Sequence, residues 1–284
     1  MSSILSSVIY IVATPIGNLS DISARAIATL QAVDLIAAED TRHSKQLLSH
    51  LGINNTLLPL HDHNEREQTA SLLKQVQQGV SIAIISDAGT PLISDPGYHF
   101  VREAHKLGIK VIPIPGPSAV ICALSACGLP TDHFSFEGFL PSKEKAKQDI
   151  LKQLVNDTHT LVFYEAPHRV LATIATMREI FGSEREVAMA RELTKQFETI
   201  FHGTMQQLLD FVTSDANQQR GEIVLLVAGA VKNVDKFALN PEAKKILDIL
   251  LAELPVSQAV GLAAKITGVQ KKILYAAAIS GLAI

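Results

Sequence analysis

The chain has 284 residues, 47% of them hydrophobic and 19% charged, with a formal net charge of −3. That length supports two ordinary domains with cores of their own, and that apolar fraction excludes a disordered chain. The nearly balanced charge excludes a general electrostatic footprint for nucleic acid, so any RNA contact must rest on local basic patches.

Residues 1–7 carry no basic segment and lead into an apolar run of strand length only, which predicts neither a signal peptide nor a membrane span. A cytoplasmic enzyme is the expectation. A strand is predicted over 8–13, followed by the loop Thr14-Pro15-Ile16-Gly17-Asn18-Leu19 and a helix to about 31 that Ser20-Asp21-Ile22-Ser23 caps. A second short buried strand over 33–38 ends in Glu39-Asp40-Thr41-Arg42-His43, which gathers acidic and basic groups at a strand end. Residues 57–67 read LLPLHDHNERE. His61 and His63 would share a face of an extended segment, with Asp62 and Glu65 nearby, but no third ligand stands at a recognisable spacing. A substrate-facing polar loop is expected there, with no metal.

After a helix over 68–77 comes the stretch on which the site is expected to be built. Residues 80–85 form a β-branched apolar run, the pattern of a strand buried on both faces, which stops at Ser86-Asp87-Ala88-Gly89-Thr90-Pro91. A helix over 98–107 leads to a strand over 110–114 that stops at Pro115-Gly116-Pro117. In open α/β sheets ligands gather beyond the carboxyl ends of strands, because loop amides and side chains converge there without breaking the ladder. Two such loops, one opening with a carboxylate, predict a cofactor pocket. Ser118 would offer its hydroxyl at the start of an apolar helix over 120–128. Cys122 and Cys127 lie on different faces of that helix and read as core thiols, not as a disulfide or metal pair.

LPTDHFSFEGFLP then reads as a crossing between domains. Beyond it, a helix over 143–156, a strand over 159–164, a helix opened by Ala166-Pro167-His168-Arg169 and a strand over 186–190 follow. With 198–202 and 222–228 they complete a second α/β unit, in which short connections predict antiparallel or mixed pairing. Helices over 241–253, 256–266 and 270–280 close the chain, with Lys265, Lys271 and Lys272 near the last turn. That pattern fits either a helix-turn-helix touching nucleic acid or a hairpin used only for packing.

The usual nucleotide signatures are missing: the first loop is TPIGN and not GxGxxG, no GxxxxGK[ST] occurs, and there is no GxSxG elbow. A crevice of Gly/Pro loops with few phosphate donors suits a flat base joined to a short zwitterion. In YIVATPIGNLSD, AAEDTRHS, ISDAGTPLISDPG, PIPGPSA, FEGFLP, YEAPHR and ARELTK, the chain resembles the tetrapyrrole-methylase-like class of S-adenosylmethionine-dependent methyltransferases. Within that class it is similar to the bacterial small-subunit ribosomal RNA ribose 2′-O-methyltransferases that act on a decoding-centre cytidine. The resemblance covers nearly the whole chain. It implies two α/β domains, 1–117 and 118–233, with the cofactor S-adenosylmethionine in the cleft between them, and a helical region over 234–284. It also implies a homodimer, and 16S rRNA or the small ribosomal subunit as partner.

Carried over by motif, Ile16, Asp87, Gly89, Thr90, Ser118, Ala119, Tyr164 and Arg191 would contact the cofactor. A ribose hydroxyl attacking an activated methyl needs positioning and somewhere for its proton to go. Asn18, Asp40, Arg42, Glu65 and Lys195 are the candidates. A carboxylate or neutral lysine would take the proton, and Arg42 would hold a phosphate or carboxylate bidentately. The plain alternative is that Asp40 and Arg42 pair with each other and that Lys195 is a surface ion pair. Because the same fold methylates tetrapyrroles and a modified histidine, fold alone does not choose the acceptor. A non-catalytic RNA-binding module is the reading from another class.

Overall fold

A computed structural model describes residues 6–61, 64–231 and 241–281. The described residues up to Ala230 form one compact unit and those beyond it a second. The first unit contains two five-stranded sheets.

The first sheet is all parallel, in the order β3-β2-β4-β1-β5. Its strands are β1 (Val8–Val12), β2 (Leu35–Ala38), β3 (Leu57–Pro59), β4 (Ile82–Ile85) and β5 (Lys110–Ile114), joined through helices α1 (Ala24–Ala32), α2 (Thr41–His50), α3 (Glu65–Gln77) and α4 (Tyr98–Lys106). Side chains alternate across each strand, and helices cover both faces. Tyr10, Val12, Ile36 and Ala83 pack on one side with Leu30 of α1 and Leu48 of α2. Ile9, Ala37, Ile82 and Ile84 pack on the other with Leu72 of α3 and Phe100 of α4. Strands buried on both faces read as unbroken apolar runs, which is why residues 80–85 carried so clear a signal. The strands on either side of α4 are not neighbours: β1 lies between them, pairing Ile9 with both Ile82 and Val111. The loops after β1 and β4 are therefore side by side.

The second sheet runs β6-β7-β10-β8-β9, with β6 (Phe134–Phe139), β7 (Thr160–Glu165), β8 (Glu186–Arg191), β9 (Thr199–Thr204) and β10 (Ile223–Val227). β6 and β7 are parallel and the other pairs antiparallel, the mixed pattern expected from the short connections. Helices α6 (Glu144–Leu154), α7 (Val170–Phe181) and α8 (Met205–Ser214) cover one face through Leu151, Ile174 and Leu208. Helix α5 (Ala119–Ala126) covers the other, where Val120, Ala123, Leu124 and Cys127 meet Val162, Ala188, Val224 and Leu226. Ile16, from the loop after β1, joins this last cluster. Cys127 is buried and Cys122 half-buried, and both thiols are free.

Several elements, among them α8, which the sequence reading lacked, depart from expectation. The expected crossing is strand β6, whose alternation is hidden by a bulge at Gly138, between Phe136 and Phe139. The polar cluster after β2 is the start of α2, capped by Asp40, whose side chain accepts from the Arg42 amide. The loop read over 57–67 contains β3, and α3 begins at Glu65, three residues before the expected helix. Asp62 and His63 lie outside the described residues.

The second unit consists of α9 (Pro241–Glu253), α10 (Val256–Thr267) and α11 (Lys271–Gly281) around Leu247, Val260, Ala263, Leu274 and Ala278. Gly268, in the left-handed region, ends α10 and sets the tight turn into α11. Among the described residues, no helix is long and apolar enough to cross a membrane.

Candidate functional site

A cavity of about 440 Å³ lies where the loops of the first sheet meet the ends of β7 and β8 and the start of β10. Backbone pairing locks the loops of the first sheet together. Thr14 and Gly89 exchange both amide hydrogen bonds (2.8 and 3.1 Å). The Thr14 hydroxyl donates to the Ser86 carbonyl at 3.1 Å, and the Thr90 hydroxyl donates to the Pro117 carbonyl at 3.0 Å. Asp87 Oδ1 accepts the Asp40 amide at 3.1 Å, tying the loop after β4 to the cap of α2. The rim is also where the backbone is strained. Among the described non-glycine residues with positive φ, Leu92 and Ser94 lie in the loop after β4, and Glu192 and Thr194 in the loop after β8. Strain of this kind persists only where surrounding contacts over-determine it, and it concentrates at ligand sites.

Of the eight cofactor positions, Ile16, Asp87, Gly89, Thr90, Ser118, Ala119 and Tyr164 line the cavity. Arg191 does not. Its neighbour Ala190 faces the cavity, and strand alternation sends the guanidinium the other way, to Gln218 Oε1 (3.1 Å), the Phe197 carbonyl (2.9 Å) and the Thr199 hydroxyl (3.1 Å). It braces the second sheet.

The cavity is acidic. Among the described residues that line it are the carboxylates Glu39, Asp87, Asp95, Glu165 and Glu222, and none of them is Lys, Arg or His. Glu165 is compensated by Arg169 Nε at 3.2 Å and by the Thr173 hydroxyl at 2.6 Å. The Tyr164 phenol is pushed up to about 12 by burial and by the charges of Asp95 and Glu222. It therefore stays a neutral hydroxyl at working pH, framed by Phe136 and Phe139.

None of the five catalytic candidates lines the cavity, and they divide into two kinds. Glu65 is buried and its Oε1 accepts the Phe100 amide at 2.9 Å, which caps the first turn of α4. Asn18 accepts from the Ser20 amide at 3.0 Å and caps a short 3-10 turn. Arg42 and Asp40 do pair, through Nε–Oδ1 (3.2 Å) and Nη2–Oδ2 (2.8 Å), and hydrogen bonding to Arg42 holds the Asp40 carboxyl far below the ordinary range. The Arg42 side chain is nevertheless 90% exposed.

Lys195 is different. Its Nζ lies 2.8 Å from Glu192 Oε1 and 3.0 Å from Glu222 Oε2, and Glu222 belongs to the cavity wall. Burial pulls the Lys195 pKa down, but the two carboxylates outweigh it and raise the pKa above the ordinary lysine value. Lys195 is thus an ammonium and not the neutral base that would accept a proton. Its stem packs against the first loop. A Cβ on Gly17 would stand 2.5 Å from Lys195 Cγ and 2.9 Å from the Leu193 carbonyl, so only glycine lets the two loops touch.

Glu222, read from sequence only as the start of the strand over 222–228, stands just before β10 and was not among the named site residues. β10 is antiparallel to β7, so its amino end lies beside Tyr164 and Glu165, whereas the rule for parallel sheets directs attention to carboxyl ends.

Residues 8–209 match the family model of tetrapyrrole (corrin/porphyrin) methylases, and residues 238–282 match that of the RsmI C-terminal HTH domain. Ribosomal RNA small subunit methyltransferase I of Pseudomonas aeruginosa is 54% identical over 267 residues, covering 94% of this chain and 95% of that protein. The protein of the same name from Escherichia coli O157:H7 is 52% identical, covering 94% and 93%. Among solved structures, the methyltransferase CobJ superposes with a TM-score of 0.58 at 17% identity, over 78% of this chain and 94% of that one. Uroporphyrin-III-C-methyltransferase from Thermus thermophilus gives 0.53 at 20% identity, over 78% and 94%. At such identities these two likenesses speak for the fold.

Proposed function

Because the chain belongs to the tetrapyrrole (corrin/porphyrin) methylases and, among them, to the ribosomal RNA small subunit methyltransferase I family, we propose that it is an S-adenosylmethionine-dependent methyltransferase of 16S rRNA. Its acceptor in this reading is the ribose 2′-hydroxyl of a decoding-centre cytidine, position 1402 in the usual numbering. The observation that carries the reading is the acidic lining of the cavity, in which the described residues include five carboxylates and no Lys, Arg or His. S-adenosylmethionine supplies a methyl group already activated on a cationic sulfonium, and with its ammonium and carboxylate it bears net positive charge. Carboxylate walls attract such a ligand and repel a nucleotide phosphate.

Asp87, Gly89 and Thr90 together with Ser118 and Ala119 offer polar edges from the first sheet, and Ile16, Leu193 and Ala190 offer apolar walls for a flat base. Tyr164 contributes a phenol that remains protonated. The RNA backbone, excluded from so acidic a chamber, meets the cations at its rim, Arg42 and Lys195, beside Asn18. Asp40 orients Arg42, while Glu65 and Arg191 hold the frame.

Titration calorimetry checks the cofactor assignment: S-adenosylmethionine should bind, and more weakly as added salt screens the carboxylates. Absence of binding at millimolar cofactor removes the enzyme reading and leaves a non-catalytic RNA-binding module. Transfer of labelled methyl to small subunits lacking the modification checks the acceptor, and label on a base or on a tetrapyrrole counts against ribose.

The domain division 1–117, 118–233 and 234–284 belongs to the same proposal, with the last part as an RNA-contacting region. Lys271, Lys272 and the half-exposed Tyr275 share the first turns of α11. Removing the residues after Val234 should lower methyl transfer to subunits at least tenfold and leave cofactor affinity nearly unchanged, by roughly 1.4 kcal/mol against a few tenths. A truncated protein with full transfer activity would reduce these helices to packing. The proposed assembly is a cytoplasmic homodimer, for which the exposed Phe197 and Ile200, at the strand β9 that ends the second sheet among the described residues, supply an apolar face. Sedimentation at a monomer mass would exclude it.

A further inference from the structure

The candidates expected from sequence leave the acceptor hydroxyl without a proton acceptor. Glu65 caps a helix, Asp40 is bonded to Arg42, and Lys195 is an ammonium. Within the cavity wall, Glu165 is bonded to Arg169 and Thr173, and Asp87 to the Asp40 amide. Glu222 is placed differently. Among the described lining residues it is the carboxylate that the structure joins to Lys195, at 3.0 Å, and its side chain is 69% exposed. It stands at the seam between chamber and rim.

This seam is built. Glu192 Oε1 accepts both Lys195 Nζ (2.8 Å) and the Glu222 amide (2.9 Å), which fixes the start of β10 against the loop after β8. A Cβ on Gly221 would fall on the Glu192 carboxylate, so the residue before Glu222 must be glycine for this contact to form, and its φ of +80° favours glycine as well. From the other side, Gly17 lets the loop after β1 pack on the Lys195 stem. Burial pulls the Glu192 carboxyl up, but Lys195 and the Glu222 amide outweigh it and keep it an anion. The groups facing Glu222 are thus Lys195 and Glu192 from the loop after β8, and Tyr164 of β7 with Asp95 beyond it.

We propose that Glu222 is the catalytic proton acceptor for the RNA hydroxyl, with Lys195 as the positioning residue that receives the neighbouring phosphate. The proposal rests on the ribose reading above. In RNA the 2′-hydroxyl and the 3′-phosphate sit on adjacent carbons, so the acceptor site needs a base and a cation side by side, as Glu222 and Lys195 are. A phosphate that draws Lys195 away frees the Glu222 carboxylate oxygen it holds, so that this oxygen can accept from the hydroxyl when it arrives. As the hydroxyl oxygen bonds the methyl carbon, the carbon–sulfur bond breaks with its electron pair on sulfur. The proton passes to a Glu222 oxygen.

Three measurements on full-length protein test this: cofactor calorimetry, cofactor-free filter binding to small subunits lacking the modification, and single-turnover transfer. With cofactor saturating as calorimetry defines it, E222Q should show undiminished cofactor-free subunit affinity, yet lose roughly 100-fold or more in single-turnover rate, the scale of general-base catalysis. E222A should recover part of its rate in added formate. K195M should weaken cofactor-free subunit binding, and K195R should restore it. The proposal is overturned if E222Q transfers methyl within about threefold of the wild-type rate, well short of the general-base scale. It is equally overturned if E222Q weakens subunit binding as much as K195M does, or if formate fails to rescue E222A. Wild-type protein that binds cofactor but transfers nothing to ribose removes the ribose reading itself, a result distinct from all of these.

Discussion

Asp87→Ala is expected to weaken S-adenosylmethionine binding by roughly 10- to 100-fold, the equivalent of about 1.5–3 kcal/mol for a hydrogen bond to a charged group. Asp87 does two things at once. It presents a carboxylate to the cavity, and its Oδ1 holds the Asp40 amide, and with it the turn that carries Arg42. The alanine variant therefore loses both a ligand group and the tie between the ends of β2 and β4. The cores on the two faces of the first sheet do not depend on that tie, so thermal unfolding should move by only a few degrees. Asp87→Asn separates the two roles, since an amide oxygen can still accept from Asp40 but brings no charge. Its cofactor affinity should lie between those of wild type and alanine. Calorimetry finding unchanged affinity in both variants would mean that the ligand does not occupy this cavity.

Gly17→Ala is the second change with a large expected effect. Its φ lies outside the left-handed region that favours glycine, so the damage comes from the space a methyl would need. The new methyl would meet Lys195 Cγ, the Leu193 carbonyl and the Thr194 hydroxyl oxygen, all within 3 Å. Two of these are side-chain atoms at the γ position, close to the main chain, and one is a backbone oxygen, so none is the far end of a long, flexible side chain. The loops must part, at a cost of about 1–3 kcal/mol typical of overpacking. Leu193 lines the cavity and Lys195 holds Glu222, so that separation disturbs the cofactor wall and the rim together. Cofactor affinity and methyl transfer should both fall, transfer by more. Retention of wild-type values for both would show that the two loops do not have to touch.

Much of this was readable from sequence, and the failures have physical causes. β1, β2 and β4 announce themselves because both faces are buried, whereas the short, partly exposed β3 did not, and the glycine- and proline-rich stops of β1, β4 and β5 mark the loops that build the site. β6 was lost because its bulge breaks the two-residue alternation. Helix α2 was missed because its polar first turn resembles a strand-end cluster. Helix α8 was missed although Thr204 and Gln207 form a capping box that a local reading could have found. Of the positions expected at the cofactor, those on loops of the first sheet line the cavity, and their motifs are continuous loops. Arg191 shows the limit of that approach, since strand alternation decides which of two adjacent residues faces a ligand, and a motif contains both. Glu222 required knowing which way β10 runs, and that is a property of the assembled sheet.

The place of β10 has a consequence for how the polypeptide acquires its structure. It is the last strand of the second sheet to leave the ribosome, yet it lies at the centre, between β7 and β8. Until residues 223–227 emerge, β7 and β8 each present an open hydrogen-bonding edge, and their eventual pairing joins segments about sixty residues apart, from β7 at 160–165 to β10. Chains interrupted before this point should be prone to self-association, with the sheet closing late and in a single event.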